Sequence, residues 1–292
     1  MKVLIVGKNS YIGRSIGAWF SQKENAPVIA YVSVRDDGWK IMDMTGYDAV
    51  IFSAAIVHQN ELEDWDVYER VNAQLPYAFA AKAKQSGVGH FVFLSSAAVF
   101  PTKKTLPSGM MIGSETPLEP NSMYGRSKLL GERMLQELQS DAFYVSIIRP
   151  MNVYGKGCRG NYIPLFTKIV RYLPILPKAF GDVKQGMIYV DNLSELCWLA
   201  VNAGRSGVYM AQDRNPVSAY ELMDAIAAGL GLRKCSIRCT WLFRLFCRLS
   251  PVCKLFGGVA YDPELAKCAL GNYQIVDFRE GIRQTVGKAK HD

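Results

Sequence analysis

An α/β architecture is expected from this sequence: a doubly wound parallel sheet with a smaller C-terminal α/β lobe. Three observations carry the expectation. Short, uniformly apolar runs alternate with helical segments over the first half of the chain, as in sheets covered on both faces. A glycine turn, Gly7–Gly13, joins the first run to the first helix. After Arg149–Pro150 the alternation loosens, and prolines and glycines cluster from Pro150 to Gly186. The division that follows is 1–155, with returning segments near 186–212, for the sheet-bearing part, and 156–185 with 213–292 for the lobe.

Each element has its own signal. Val3–Val6 is a short apolar strand, and Tyr11–Phe20 the helix after the turn. Val28–Val34 is rich in β-branched residues and Ala49–Ala54 is continuously apolar, so both read as strands. Asp66–Ser86 reads as one long helix ended by Gly87. Phe91–Leu94 and Tyr144–Ile148 are further strands on either side of a helix over Met123–Leu138. Beyond Gly186, Asp191–Ala203 and Ser218–Gly229 read as helices and Val208–Ala211 as a strand. The opening MKVLIVGKNSYIG has only VLIV as an apolar run before the turn, so it reads as a first strand rather than a targeting segment.

Composition narrows the function classes. With 292 residues, 49% of them apolar, the chain can bury a sizeable core. No stretch approaches the ~20 apolar residues of a membrane span. Seven cysteines at irregular spacing suggest reduced thiols and a cytoplasmic setting. Cys235 and Cys239 lack Cys-x-x-Cys spacing and lie far in sequence from His58, His90 and His291, so packing thiols are expected and no metal site. The net charge of +8 is concentrated: Arg233, Lys234, Arg238, Arg244, Arg248 and Lys254 fall in a stretch without Asp or Glu. A local patch with few aromatics at stacking spacing argues against nucleic acid.

The glycine turn suits a dinucleotide. Gly7, Gly13 and Gly17 let backbone approach a pyrophosphate held at a helix N-terminus. At the end of the second strand, Ser33 and Arg35 suit the 2′-phosphate of NADP, whereas Asp36 and Asp37 keep NAD open. Tyr124 and Lys128 are four apart and share a helix face. An ammonium near a phenol of pKa about 10 favours the phenolate, so the pair suits proton exchange with a substrate hydroxyl. The strand before them ends in Ser95-Ser96, where parallel sheets bind ligands.

Together GKNSYIG (Gly7–Gly13), FSAA (Phe52–Ala55), RVNAQ (Arg70–Gln74), LSSAAVF (Leu94–Phe100), YGRSK (Tyr124–Lys128), IIRPMNVYGKG (Ile147–Gly157) and MIYVDNL (Met187–Leu193) resemble an extended short-chain dehydrogenase/reductase of the nucleotide-sugar epimerase/dehydratase family. The resemblance covers nearly the whole chain and implies a Rossmann-type sheet, NAD or NADP as cofactor, a nucleotide-sugar substrate and a homodimer formed through two helices. It implies Ser96, Tyr124 and Lys128 as the catalytic triad. It assigns Gly7, Ser10, Tyr11, Ile12, Gly13, Asp43, Ala54, Ala55, Asn72 and Pro150 to the cofactor, alongside Ser33 and Arg35, and Met151, Asn152 and Asn161 to the substrate. Three departures stand out. Ser10 replaces the middle glycine of the turn, its Cβ crowding the pyrophosphate or its hydroxyl bonding it. Ala97 and Ala98 follow Ser96 where dehydratases carry an acid pair, which disfavours 4,6-dehydration. Lys184-Gln185 stands where the family often has a phosphate-clamping arginine.

Thr240–Leu249 is amphipathic if helical, with Leu242, Leu245, Phe246 and Leu249 on one face and Trp241, Arg244 and Arg248 away from it. The first reading is a lobe helix packing that face on the core. The second is a lid lending Arg244 and Arg248 to a substrate diphosphate. The third, less favoured, is an interfacial helix touching anionic lipid. The leading function is C4 epimerisation of a UDP-hexose or UDP-N-acetylhexosamine for surface polysaccharide synthesis. The alternatives are an NADPH-dependent 4-ketoreductase of a deoxysugar nucleotide and, in another class, a non-catalytic dinucleotide-sensing or interaction protein.

Overall fold

The computed structural model describes residues 1–57, 64–102, 104–158, 160 and 162–287. His58, Asn161 and His291 lie outside the described residues. Strands β1 (Lys2–Val6), β2 (Val28–Val32), β3 (Ala49–Phe52), β4 (His90–Leu94), β6 (Tyr144–Pro150) and β10 (Gly207–Ala211) form one parallel sheet of six strands in the order β2-β1-β3-β4-β6-β10. The uniformly apolar strands are explained by burial on both sides. In β1, Val3 and Ile5 belong to one core with Ile16, Phe20, Leu193 and Leu196, and Leu4 and Val6 to another with Phe79, Phe93 and Leu135. The first core is covered by α1 (Tyr11–Phe20) and α7 (Val190–Asn202), the second by α4 (Leu75–Gln85) and α5 (Met123–Gln136). Short α2 (Gly38–Ile41) adds Trp39, whose ring stacks on Phe79 at 5.1 Å. This is a Rossmann-type doubly wound sheet, and its order reverses between β1 and β3, where such folds bind ligands.

The helix expected over Asp66–Ser86 is not uniform. A π-helical turn, Arg70–Gln74, separates α3 (Trp65–Glu69) from α4. The wider turn contains Asn72, which is fully buried. A Cβ on Gly131 would lie 2.6 Å from the Asn72 carbonyl, so only glycine lets α5 pack this closely here.

Among the described residues, the remaining strands form three two-stranded parallel pairs, accompanied by five α-helices. β5 (Met110–Ile112) pairs with β12 (Val259–Tyr261), β7 (Asn152–Tyr154) with β9 (Met187–Tyr189), and β8 (Ile175–Lys178) with β11 (Cys235–Arg238). Helices α6 (Tyr162–Tyr172), α8 (Ala219–Gly229) and α11 (Phe278–Val286) surround a third core that includes Phe166, Leu222, Met223, Ile226 and Ile282. Helix α8 starts on a full capping box, Ser218 with Glu221. The MIYVDNL motif staples this region: the Asn192 side chain bonds Asp213 and the backbone of Ile275 and Val276. Burial pushes the Asp213 carboxyl up to about 6.

The segment after β11 differs from expectation. Helix α9 covers only Thr240–Arg244, turns follow, and α10 begins at Ser250 (Ser250–Phe256). Phe243 packs inward on Phe256, with ring centroids 4.7 Å apart, and Cys247 joins the same core. Leu242, Leu245, Phe246 and Leu249, the face assigned to the core, are exposed. The reading of a continuous core-packed helix is therefore corrected: the chain ceases to be α-helical after one turn, and its aromatic Phe243 takes the inward position.

Candidate active site

The dinucleotide turn is built as its residues demand. Gly7 has φ +107, and a Cβ there would lie 3.0 Å from Ser53 Oγ and 3.1 Å from the Ala54 nitrogen. Only glycine satisfies both the backbone and the space. Ser10 is the N-cap of α1, its hydroxyl accepting from the Gly13 N–H at 3.2 Å with φ −68. The substitution for glycine is thus unstrained, and its hydroxyl is engaged by the helix. A helix N-terminus offers its remaining N–H groups, here those of Tyr11 and Ile12, to an anion. The Tyr11 hydroxyl is buried with no hydrogen-bond partner among the described residues, and burial raises its pKa. The Gly7 cradle and the N–H groups at the start of α1 fit a bound pyrophosphate.

A cleft of about 1330 Å³ opens over these residues. Among the expected cofactor residues, Gly7, Ser10, Tyr11, Ile12, Ser33, Arg35, Ala54, Ala55 and Pro150 line it, as do Ser96, Tyr124, Lys128, Met151 and Asn152. Gly13 is buried behind the wall, against Ser53. Asn72 does not line the cleft. Its amide holds the Ile56 backbone at both ends (3.0 and 2.9 Å) and donates to Ser127 Oγ at 3.1 Å, so it braces the wall against α5. Asp43 also lies off the cleft: exposed on the surface, it accepts from the Thr45 N–H, which holds its carboxyl below the usual range. Arg244 and Arg248 are exposed and line neither this cleft nor an adjoining cavity of about 490 Å³. Asn161 is outside the described residues.

Local packing explains how Ser96 meets Tyr124. Ser96 lies two residues past β4 and caps the 3₁₀ turn Ala97–Val99, accepting from the Ala98 N–H at 3.1 Å. The first turn of α5 rests on that 3₁₀ turn because Gly125 has no Cβ; one would fall inside contact distance of the Ala98 carbonyl. Ser122 caps α5 by accepting from Gly125 at 3.0 Å. The Ser96 and Tyr124 hydroxyls are hydrogen-bonded to each other.

Burial opposes the charged forms of both members of the Tyr124–Lys128 pair. Burial pushes the Tyr124 phenol up to about 12, outweighing the Ser96 hydrogen bond that lowers it. Lys128, fully enclosed, is pushed down to about 7 by desolvation, with Glu132 opposing. Its Nζ donates to the Leu94 carbonyl at 2.8 Å and lies 4.5 Å from the Phe93 ring centroid. In this arrangement Lys128 holds the end of β4, and burial disfavours the charged forms of both Lys128 and Tyr124. Below it, Arg149 makes a bidentate ion pair with Glu132, Nε to Oε1 at 3.0 Å and Nη2 to Oε2 at 2.6 Å, both residues buried. Ser95 also donates to Glu132.

Two cleft residues were not among the expected site residues. Lys104 lies 4.5 Å from the Tyr162 ring centroid, and burial pushes its amine down to about 8. Gln185 donates to the Gly186 and Val259 carbonyls at 3.0 and 3.1 Å, while its Oε1 is buried without a partner among the described residues. Lys104 stands in no motif, and Gln185 was read only as half of the Lys184-Gln185 pair at the place of the family's arginine. Only the folding of the segment after Phe100 and of β12 against the cleft brings them to it.

A parallel sheet with a phosphate-binding turn at its switch point, and a Ser–Tyr pair in the same cleft, define a dinucleotide-dependent enzyme of the short-chain dehydrogenase/reductase type. The sequence pattern of the NAD dependent epimerase/dehydratase family matches residues 3–210, and the chain belongs to that family. It is 25% identical to the UDP-glucose 4-epimerase of Vibrio cholerae over 97% of this chain and 94% of that protein. It is 28% identical to the N-acetyl-alpha-D-glucosaminyl-diphospho-ditrans,octacis-undecaprenol 4-epimerase of Escherichia coli O157:H7 over 68% of this chain and 59% of that one. Among solved structures, RMD from Pseudomonas aeruginosa complexed with NADPH superposes with a TM-score of 0.73 at 17% identity, covering 98% of both chains. The UDP-glucose-4-epimerase of Stenotrophomonas maltophila with bound NAD and formylated UDP-arabinopyranose does so at 0.72 and 21%, covering 98% of this chain and 97% of that one. The two structural likenesses bear on the fold.

Proposed function

We propose that the chain is an NAD(P)-dependent epimerase acting at C4 of a nucleotide sugar, a UDP-hexose or UDP-N-acetylhexosamine, in surface polysaccharide synthesis. The observation that carries this reading is the shared cleft: one space of about 1330 Å³ is lined by the dinucleotide turn, by Ser96 and Tyr124, and by Lys104 and Gln185. That exceeds the roughly 300–1,000 Å³ of a single-ligand pocket and suits a cofactor beside a second ligand. Tyr124, as the phenolate, takes the C4 hydroxyl proton and returns it, and Ser96 hydrogen-bonds the same oxygen; the positive charge of a bound oxidised nicotinamide would favour that phenolate. A bound nicotinamide would supply the acceptor for the C4 hydride and the donor that returns it to the opposite face of the 4-keto sugar. Ala97 and Ala98 supply no acid or base for eliminating water. The named activities of the Vibrio and Escherichia relatives support the reading.

Lys104 is assigned to the substrate phosphates, in place of the family's arginine. Lys104→Met is expected to raise KM for the sugar nucleotide about 10–100-fold, the range of a hydrogen bond to a charged group, while the cofactor Kd is unchanged. With its free amine near 8, Lys104 is charged below that pH and loses its charge above it. The kcat/KM profile of the wild type should fall through this region as pH rises, and the variant should lose that inflection. An equal rise in cofactor Kd would take Lys104 out of the substrate site.

A second reading, an NADPH-dependent 4-ketoreductase of a deoxysugar nucleotide, is favoured by one observation. Arg35 lines the cleft, whereas Asp36 accepts from Gly38 and Asp37 pairs with Lys40 at 2.9 Å. Arg35→Ala should lower the NADP-to-NAD preference by about 10–100-fold; an unchanged ratio removes Arg35 from cofactor choice. Incubation with UDP-sugars and with 4-keto sugar nucleotides, with and without NADPH, separates the two functions. Turnover without added cofactor marks the epimerase, and strict dependence on NADPH marks the reductase.

A further inference from the structure

We infer that the face formed by residues 233–249 is an interfacial membrane contact that rests on an anionic lipid bilayer. The segment leaves its apolar side chains outside. Phe243 and Cys247 turn to the core, while Trp241 is 70% and Leu245 72% exposed, with Leu242, Phe246 and Leu249 exposed beside them. Hydrogen bonds Leu245 N to Leu242 O, Phe246 N to Phe243 O and Leu249 N to Phe246 O hold these residues in successive tight turns, which keep the exposed apolar side chains within one short stretch. Ile237 on the preceding strand β11 is also exposed. A contiguous exposed apolar patch marks an interaction site.

Charge identifies the occupant. No Asp or Glu occurs between Asp224 and Asp262, and Arg233, Lys234, Arg238, Arg244, Arg248 and Lys254 fall there. None of the six has an ion-pair partner among the described residues. Trp, Leu and Phe beside Arg match the boundary of a bilayer, where apolar side chains enter the acyl region and guanidinium groups meet anionic headgroups. A second copy of the chain fits poorly, since a two-fold contact sets like charges against each other. A nucleic acid matches the arginines but not the aliphatic side chains. Among the described residues no helix is long and apolar enough to cross a membrane, so the contact is peripheral.

The test is co-sedimentation of the full chain with vesicles of phosphatidylcholine alone and of phosphatidylcholine with one quarter phosphatidylglycerol. Binding is expected to the anionic vesicles and not to the neutral ones, and should weaken as salt rises. Arg244→Gln with Arg248→Gln should weaken it by about 20–30-fold, the fold-change equivalent to ~1 kcal/mol per basic residue at the surface. Trp241→Ser with Leu245→Ser should weaken it about tenfold or more, through lost apolar burial, with kinetics on a soluble sugar nucleotide unchanged. Lys267→Gln with Arg279→Gln, distant in sequence and exposed, should leave binding intact. Absence of binding to anionic vesicles at low ionic strength overturns the inference. So does binding that all variants share, a dimer that the Trp241/Leu245 variant converts to monomer, or retention on an oligonucleotide without binding to vesicles.

Discussion

Tyr124→Phe is expected to lower kcat by about 10²–10⁴-fold, the usual contribution of a positioned acid or base, while leaving the cofactor bound. The phenol is the group with the geometry to exchange the substrate proton: it lines the cleft and bonds the Ser96 hydroxyl. Phenylalanine keeps the ring and removes that hydroxyl, so α5 stays on its Gly125 and Gly131 contacts. Single-turnover measurement of hydride transfer, with cofactor content of the purified variant, separates the two effects. Loss of cofactor together with activity would point to a structural role. Retention of more than a tenth of wild-type kcat would remove Tyr124 from proton transfer.

Glu132→Gln is expected to destabilise the fold by about 3–5 kcal/mol, the usual consequence of leaving one member of a buried ion pair uncompensated. Glu132 and Arg149 are buried and bidentate, linking α5 to β6 directly before Pro150 on the cleft wall. Glu132 is also the negative charge that opposes the desolvation of Lys128, so its loss should depress that amine further. Urea unfolding measures the stability term. The double variant Glu132→Leu with Arg149→Met should recover much of it, because replacing both charges by apolar groups removes the uncompensated one. A change below about 1 kcal/mol, the scale of a solvated surface pair, would show that water reaches the site.

The sheet was legible because its inner strands β1, β3, β4 and β6 are buried on both faces. That burial forces continuous apolar runs such as AVIF at Ala49–Phe52. Helix α1 was legible to the residue, since its cap and its turn are local features. The strand order was not, because pairing joins residues distant in sequence, as in β10 with β6. The π-turn at Arg70–Gln74 was equally hidden: its sequence is helical, and its widening accompanies Asn72's bonds to Ile56 and Ser127.

The site divides the same way. Tyr124, Lys128, Ser96 and the glycine turn stand in short motifs whose spacing carries the chemistry, so the sequence alone named them and the family. Which side chains face the cleft depends on contacts between distant segments. Lys104 and Gln185 reach it only through folding after Phe100 and near Val259. Asn72 is taken out of it by a buried amide network, and Arg244 and Arg248 by the end of α9 at Arg244. Protonation was likewise a matter of packing: burial drives Tyr124 up and Lys128 down, and desolvation is a property of the enclosing structure, not of a spacing in the chain.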